Sequence, residues 1–241
     1  MITMPFLVIW KPITVDYRTS RFFPIDLDWD NIQTVFLDMD GTLLDLHFDN
    51  HFWLEHLPVR LAEQRGATPE EIRAYLHERY TEMEGTLEWY CLDYWQNHLG
   101  TDLVELKHEV ADRIQIRAHV ERFLESLHAR GKRVVLLTNA HQKSVGLKFG
   151  YVALEHYFDH IITSHSLGLP KEHPDFWQKL AEVEAYSPAH SLFIDDNLHV
   201  LRSAQAAGVK YLLAIREPDS RQPPKDTQEF TAVECYTQLL P

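Results

Sequence analysis

Residues 34–45 read Thr-Val-Phe-Leu-Asp-Met-Asp-Gly-Thr-Leu-Leu-Asp, an apolar run that delivers two carboxylates, Asp38 and Asp40, onto a turn marked by Gly41 and Thr42. A short buried strand followed at once by acid, spacer, acid and glycine places both carboxylates at the strand's C-terminal end, where open α/β sheets bind ligands. Period-2 geometry points Asp38 and Asp40 the same way until the turn at Gly41 diverges them. The pair suits a division of labour. Asp38, near a hard cation that bridges it to a phosphate, can attack phosphorus, and Asp40 can protonate the leaving oxygen and then deprotonate water. Taken alone, the segment is equally a strand followed by an acidic turn, because Asp and Gly are common turn formers.

Three more apolar runs end in polar groups suited to the same chemistry. Val134 to Leu137 lead into Thr138 and Asn139, a hydroxyl and an amide able to donate to phosphate oxygens. Ile161-Ile162-Thr163-Ser164 is followed by the loop Gly168-Leu169-Pro170-Lys171, whose lysine can neutralise nucleophile and phosphate charge. Leu192-Phe193-Ile194 ends in Asp195 and Asp196, oxygens of the kind a magnesium ion takes. Each has a bland alternative: a helix cap at Thr138-Asn139, a solvated loop at Lys171, an N-cap pair at Asp195-Asp196. The order carboxylate pair, Thr, Lys, carboxylate pair across four strand ends argues for one site.

On these residues the chain resembles the haloacid dehalogenase superfamily of phosphohydrolases, with Asp38-Met39-Asp40-Gly41-Thr42 as first motif and Thr138, Lys171 and Asp195-Asp196 as the next three. The resemblance implies that Asp38 is the nucleophile and a magnesium ligand, and that Asp40 is the acid/base and lends its backbone carbonyl to the metal. It implies also that Thr138 and Lys171 hold the phosphate, and that Asp196 binds the metal directly with Asp195 as an outer partner. An acid two residues beyond the nucleophile resembles the phosphatases of the superfamily rather than its dehalogenases. Leu44 to Trp53, Glu88 to Trp95, Leu137 to His141 and Pro170-Lys171-Glu172 are similar to a bacterial purine nucleotidase branch acting on GMP and IMP.

From the first motif to the second the pattern is helical, a shift from the strand-helix alternation elsewhere. Thr68-Pro69-Glu70-Glu71 is a helix start with a capping box. That helix runs toward Glu84-Gly85, a further segment from Leu87 continues to Gly100, and Asp102 opens another helix. The spacing thus predicts an α/β chain. Residues 28–46 and 113–241 form a doubly wound, Rossmann-like, mostly parallel core, with strands near 33–38, 133–138, 159–164, 191–195 and 210–214. Residues 47–112 form an inserted helical cap, which by the family resemblance closes over the site and selects the leaving group. Its aromatic residues, Trp89, Tyr90 and Tyr94 among them, offer a stacking face for a purine or pyrimidine ring. Tyr90, Cys91, Tyr94 and Trp95 equally form one helical stripe fit for a bundle core.

The 241 residues, 45% hydrophobic, suffice for one α/β core and a modest insertion. A formal net charge of −13 without a basic stripe argues against a nucleic-acid polymer as partner and leaves a small phosphorylated metabolite. Cys91 and Cys235 have no paired spacing, so neither a disulfide framework nor a zinc site is suggested, and a reducing, cytoplasmic compartment fits. The 15 histidines are scattered and read as surface and boundary residues. Residues 1–27 read as an extension, whose apolar stretch at 5–10 is too short to span a membrane and lacks the features of a targeting segment. After Ile215 a Pro-, Asp- and Gln-rich loop precedes a short apolar segment that docks back. Two rival functions remain: a sugar-phosphate phosphatase or phosphomutase with the same four motifs, and a non-catalytic phosphometabolite-binding protein.

Overall fold

Uninterrupted apolar runs suit strands covered on both faces, and parallel sheets are built from such strands. The computed structural model describes residues 23–240. In it, β1 (Thr34–Leu37) lies between β2 (Arg133–Thr138) and β4 (Ser191–Asp195), with β3 (His160–Thr163) beyond β2 and β5 (Tyr211–Ile215) and β6 (Thr231–Val233) beyond β4. Every pairing is parallel, giving the order β3-β2-β1-β4-β5-β6. Because successive crossovers run one way from β1 and then the other, β1 is the topological switch point, and a crevice opens outside its C-terminal end.

Alternate residues of each strand feed two cores. Val35, Leu37, Val134, Leu136, Leu192 and Ile194 face α6 (Val120–Ala129), α7 (Gln142–Tyr151) and the helices that follow β1. Phe36, Val135, Leu137 and Phe193 face α9 (Phe176–Val183) and α10 (Leu198–Ala206). This is the period of two that a pleated strand imposes.

The segment after β1 is helical. It comprises α1 (His47–His51), one π-helical turn over Phe52–His56, α2 (Leu57–Arg65), α3 (Pro69–Met83), α4 (Leu92–Leu99) and α5 (Leu103–His108). At the start of α3 the Thr68 hydroxyl accepts from Glu71 N while the Glu71 carboxylate accepts from Thr68 N, the reciprocal cap read from the sequence. The helix expected from Leu87 to Gly100 is instead divided. A 3-10 turn over Glu88–Tyr90 ends at an extended Cys91 (φ −82°, ψ 106°), whose sulfur accepts from Tyr94 N and caps α4. The indole N–H of buried Trp95 donates to Trp89 O at 2.9 Å and holds this break. Leu92, Trp95 and Leu99 therefore form the buried face of α4, while Tyr90 and Cys91 turn away from the expected stripe.

The sixth strand was not anticipated, since three residues carry too little pattern to register as a strand. Beyond it Tyr236 is buried and its hydroxyl donates to Thr42 O at 3.1 Å, docking the end of the described chain beneath the turn after β1. Ile25 N donates to Gln238 O at 2.9 Å in the same region. The expectations for residues 1–22 lie outside the described residues. No helix among the described residues is long and apolar enough to cross a membrane.

Candidate active site

The chain leaves β1 at Asp38, whose N–H donates to Ile194 O on β4, and turns at Gly41 with φ +81°. A side chain at Gly41 would meet Asp196 as well as strain the backbone, since a Cβ there would lie 2.8 Å from Asp196 Cγ. The turn thus requires glycine for its conformation and for the close approach of the two acidic loops. Lys171, from the loop after α8 (Ser164–Leu167), reaches back across the sheet ends and is buried. Its ammonium donates to Asp38 Oδ1 at 2.6 Å, to Asp195 Oδ2 at 2.6 Å and to Leu137 O at 3.1 Å. Burial disfavours that charge, but Asp195 and Asp38 outweigh it and raise the lysine's pKa.

Asp38, Asp195 and Asp196 bring carboxylate oxygens within 4.8 Å of one another. Burial pushes Asp38 and Asp195 up to about 6 despite Lys171. Asp196 is raised by burial too, against the pull of Lys225, which donates to its carbonyl and carboxylate. Buried oxygens with too few cations around them are the donor set a hard divalent ion takes, so the cluster is able to hold a metal. Both oxygens of Asp195 are already engaged, by Lys171 and by Asn197 N at 2.7 Å, whereas Asp38 and Asp196 are less committed.

Thr138 ends β2 beside Asp38, buried, its hydroxyl accepting from Ala140 N at 3.0 Å. The Asn139 side chain is occupied at both ends, accepting from Lys171 N at 2.8 Å and donating to Glu172 Oε2 at 2.9 Å. The Tyr90 hydroxyl donates to Glu172 Oε1 at 2.8 Å, so a chain of bonds runs from the helical segment through Glu172 and Asn139 to the backbone of Lys171.

A second ionic chain escaped the sequence reading. Lys148 of α7 donates to Asp40 Oδ1 and Asp49 Oδ2, each at 2.6 Å, and Lys107 of α5 donates to Asp49 Oδ1 at 3.0 Å. Both lysines are 1% exposed. Burial raises Asp40 to about 6 against the pull of Lys148. Burial would also raise Asp49, but Lys107 and Lys148 prevail and hold it at about 2. A lysine in an amphipathic helix reads as a solvated residue, which is why neither was singled out.

A cavity of about 590 Å³ stands over these groups. Asp38, Asp40, Thr138, Asn139 and Lys171 line it together with Asp195 and Asp196, and Trp53, Tyr80, Trp89, Tyr90 and Trp95 supply an aromatic wall. The wall rings also pack edge to face on one another, as Trp53 with Trp95 and Tyr80 with Trp89, so packing and lining are carried by the same residues. Tyr94 is not among the described residues lining the cavity; its hydroxyl reaches Met83 Sδ and its ring stacks on His98. The histidines are not all peripheral either. His141 is 3% exposed, lines the cavity and meets His165 at a centroid distance of 4.8 Å; burial lowers the pKa of both, to about 4 for His165.

A family model described as haloacid dehalogenase-like hydrolase matches residues 32–208. The chain is 38% identical over 217 residues to the GMP/IMP nucleotidase YrfG of Escherichia coli (strain K12), covering 90% of this chain and 98% of that one. It is 26% identical over 191 residues to the pyrophosphatase PpaX of Bacillus mycoides, covering 74% and 81% respectively. A crystal structure of a HAD phosphatase from Thermococcus onnurineus superposes with a TM-score of 0.70 at 20% identity, covering 86% of this chain and 96% of that one.

Proposed function

The chain belongs to the haloacid dehalogenase-like hydrolase family, and from that membership we propose that it is a magnesium-dependent phosphomonoester hydrolase acting on purine nucleoside monophosphates such as GMP and IMP. The observation that carries the reading is a single cavity walled both by Asp38, Asp40, Thr138 and Lys171 and by the rings of Trp53 and Trp89. Its volume of about 590 Å³ suits a mononucleotide-sized ligand. The 38% identity to a GMP/IMP nucleotidase supports the purine assignment.

In the proposed reaction Asp38 attacks phosphorus in line while Asp40 gives its proton to the departing nucleoside oxygen. The phosphoryl group is then carried by Asp38. Asp40, now ionised, takes a proton from water, the water oxygen bonds to phosphorus, and the bond to Asp38 breaks to release phosphate. A pKa raised to about 6 lets Asp40 serve in both directions near neutrality. Lys171 offsets the charge on Asp38, and the Thr138 hydroxyl donates to a phosphate oxygen; Asn139 acts by placing Lys171 rather than by touching phosphate. Asp38, Asp196 and the backbone carbonyl of Asp40 would hold magnesium, with Asp195 behind them, and the ion supplies neutralisation of the phosphoryl oxygens. Residues 47–112 act as the cap over a core of 28–46 and 113–241, with Trp89 and Tyr90 selecting the leaving group.

The test is phosphate release, with and without magnesium, across nucleoside monophosphates, sugar phosphates and phosphoglycolate, with separately expressed Asp38→Asn protein as control. Selective turnover of GMP and IMP that disappears in Asp38→Asn is expected. Best turnover of a sugar phosphate would overturn the purine assignment in favour of the phosphosugar alternative. No magnesium-dependent turnover of any ester would overturn the hydrolase reading and leave a binding role.

A further inference from the structure

The sequence spacing of the cysteines suggests no metal site, yet the fold gathers three soft or borderline ligands beside the cavity. Cys91 precedes α4 in the helical insertion, His141 precedes α7 at the end of β2, and His165 lies in α8 at the end of β3. Their ligand atoms lie within 4.8 Å of one another. Both ring nitrogens of His165 are shielded from solvent and have no hydrogen-bond partner among the described residues. Leaving a buried imidazole unpaired is costly, and a ligand on one nitrogen removes much of that cost.

We propose that Cys91, His141 and His165 form a second metal site, for a borderline-soft divalent cation of the zinc class, which ties the helical insertion to the core. Cys91 would bind as thiolate, releasing its proton to solvent, and the two histidines as neutral imidazoles. Tetrahedral zinc with bonds of about 2.0–2.3 Å sets its ligand atoms roughly 3.3–3.8 Å apart, so small side-chain rotations close the cluster. Asp93 stands next to it, with Oδ2 3.7 Å from His141 Nε2 and its other oxygen held by Lys143 at 2.6 Å. The donor set separates this site from the carboxylate cluster: magnesium has little affinity for a thiolate, and zinc prefers nitrogen and sulfur. One ligand comes from the insertion and two from strand ends, so the bound cation would cross-link the insertion to the core beside the cavity.

The experiment uses the full chain, stripped with a chelator, returned to excess magnesium to fill the carboxylate cluster, and then supplied with zinc or cobalt(II). Bound metal is counted by mass spectrometry after gel filtration, and cobalt is read through its thiolate charge-transfer absorption, which only a cysteine ligand produces. About one zinc per chain and a clear thiolate band are expected, together with a rise in Tm on zinc addition. Cys91→Ser should remove the band, His165→Gln should weaken metal binding about tenfold or more, and Cys235→Ser should leave both unchanged. Metal-free unfolding of the variants serves as the folding control; should Cys91→Ser not fold, His165→Gln decides. Absence of the band in the wild type, or its survival in Cys91→Ser, would refute the site. Neither readout depends on the phosphatase assignment.

Discussion

The ammonium of Lys148 lies 2.6 Å from Asp40 Oδ1, a fully buried cation on α7 set against the carboxylate proposed to shuttle the proton. Burial raises Asp40's pKa and Lys148 pulls it down, so the lysine tunes the acid as well as fixing its orientation. Lys148→Met should therefore raise Asp40's pKa further. The alkaline limb of the kcat–pH profile, where the acid loses its proton, is expected to move to higher pH, with a fall in kcat from lost positioning. A limb that stays in place or moves down would show that Asp40 is not the group seen in that limb.

Asp49 contributes to stability through the same network. Its folded pKa of about 2 lies below the ordinary 3.8, so the contribution is present above pH 4 and is lost as pH falls toward 2. The difference corresponds to about 2 kcal/mol. Asp49→Asn should be less stable than wild type at pH 7 by an amount of that order. In urea titrations the gap should narrow as pH is lowered below 4; a gap constant from pH 7 to pH 3 would contradict the assignment.

Gly41→Ala imposes a methyl group 2.8 Å from Asp196 Cγ at a residue with φ +81°. Backbone strain of this kind costs about 1–2 kcal/mol. Because the displaced carboxylate is a proposed metal ligand, the magnesium concentration for half-maximal activity should rise several-fold, beyond what the modest loss of stability explains. Magnesium titration of turnover, beside thermal unfolding without metal, separates the two effects.

If the aromatic wall stacks on the base, Trp89→Ala should raise KM for GMP about tenfold, in line with the 1–3 kcal/mol typical of a base–aromatic contact. Hydrolysis of a small phosphate ester lacking a base should change little. Equal losses on both substrates would assign Trp89 to the packing it makes with Tyr80 and Trp95.

The parallel core and the convergence of the site residues were legible because Asp38, Asp40, Thr138 and Asp195-Asp196 sit at or just beyond the ends of apolar runs, with Lys171 in the loop that follows another, so local pattern and polar function coincide. Lys148, Lys107 and Glu172 were not. Their partners are distant in sequence, and a lysine on an amphipathic helix carries no local mark of burial. The cluster of Cys91, His141 and His165 was hidden for a related reason: the topology of β2 and β3, not spacing along the chain, brings the ligands together. At Tyr94 the helical period read correctly as packing, since its ring meets Trp95 and lies against the core, whereas aromatic density alone did not tell the rings that line the cavity from those that do not.

The bond from Tyr236 to Thr42 joins residues 194 positions apart and supports the turn that carries Asp40. Strand β1 also gains both of its neighbours from much later segments of the chain. The turn that carries the first motif is therefore completed by a segment that follows all four motifs in the chain. A chain cut before Tyr236 would keep Asp38, Asp40, Thr138, Lys171, Asp195 and Asp196 and lose the hydroxyl that holds Thr42 O, leaving every acidic motif present over an unsupported turn.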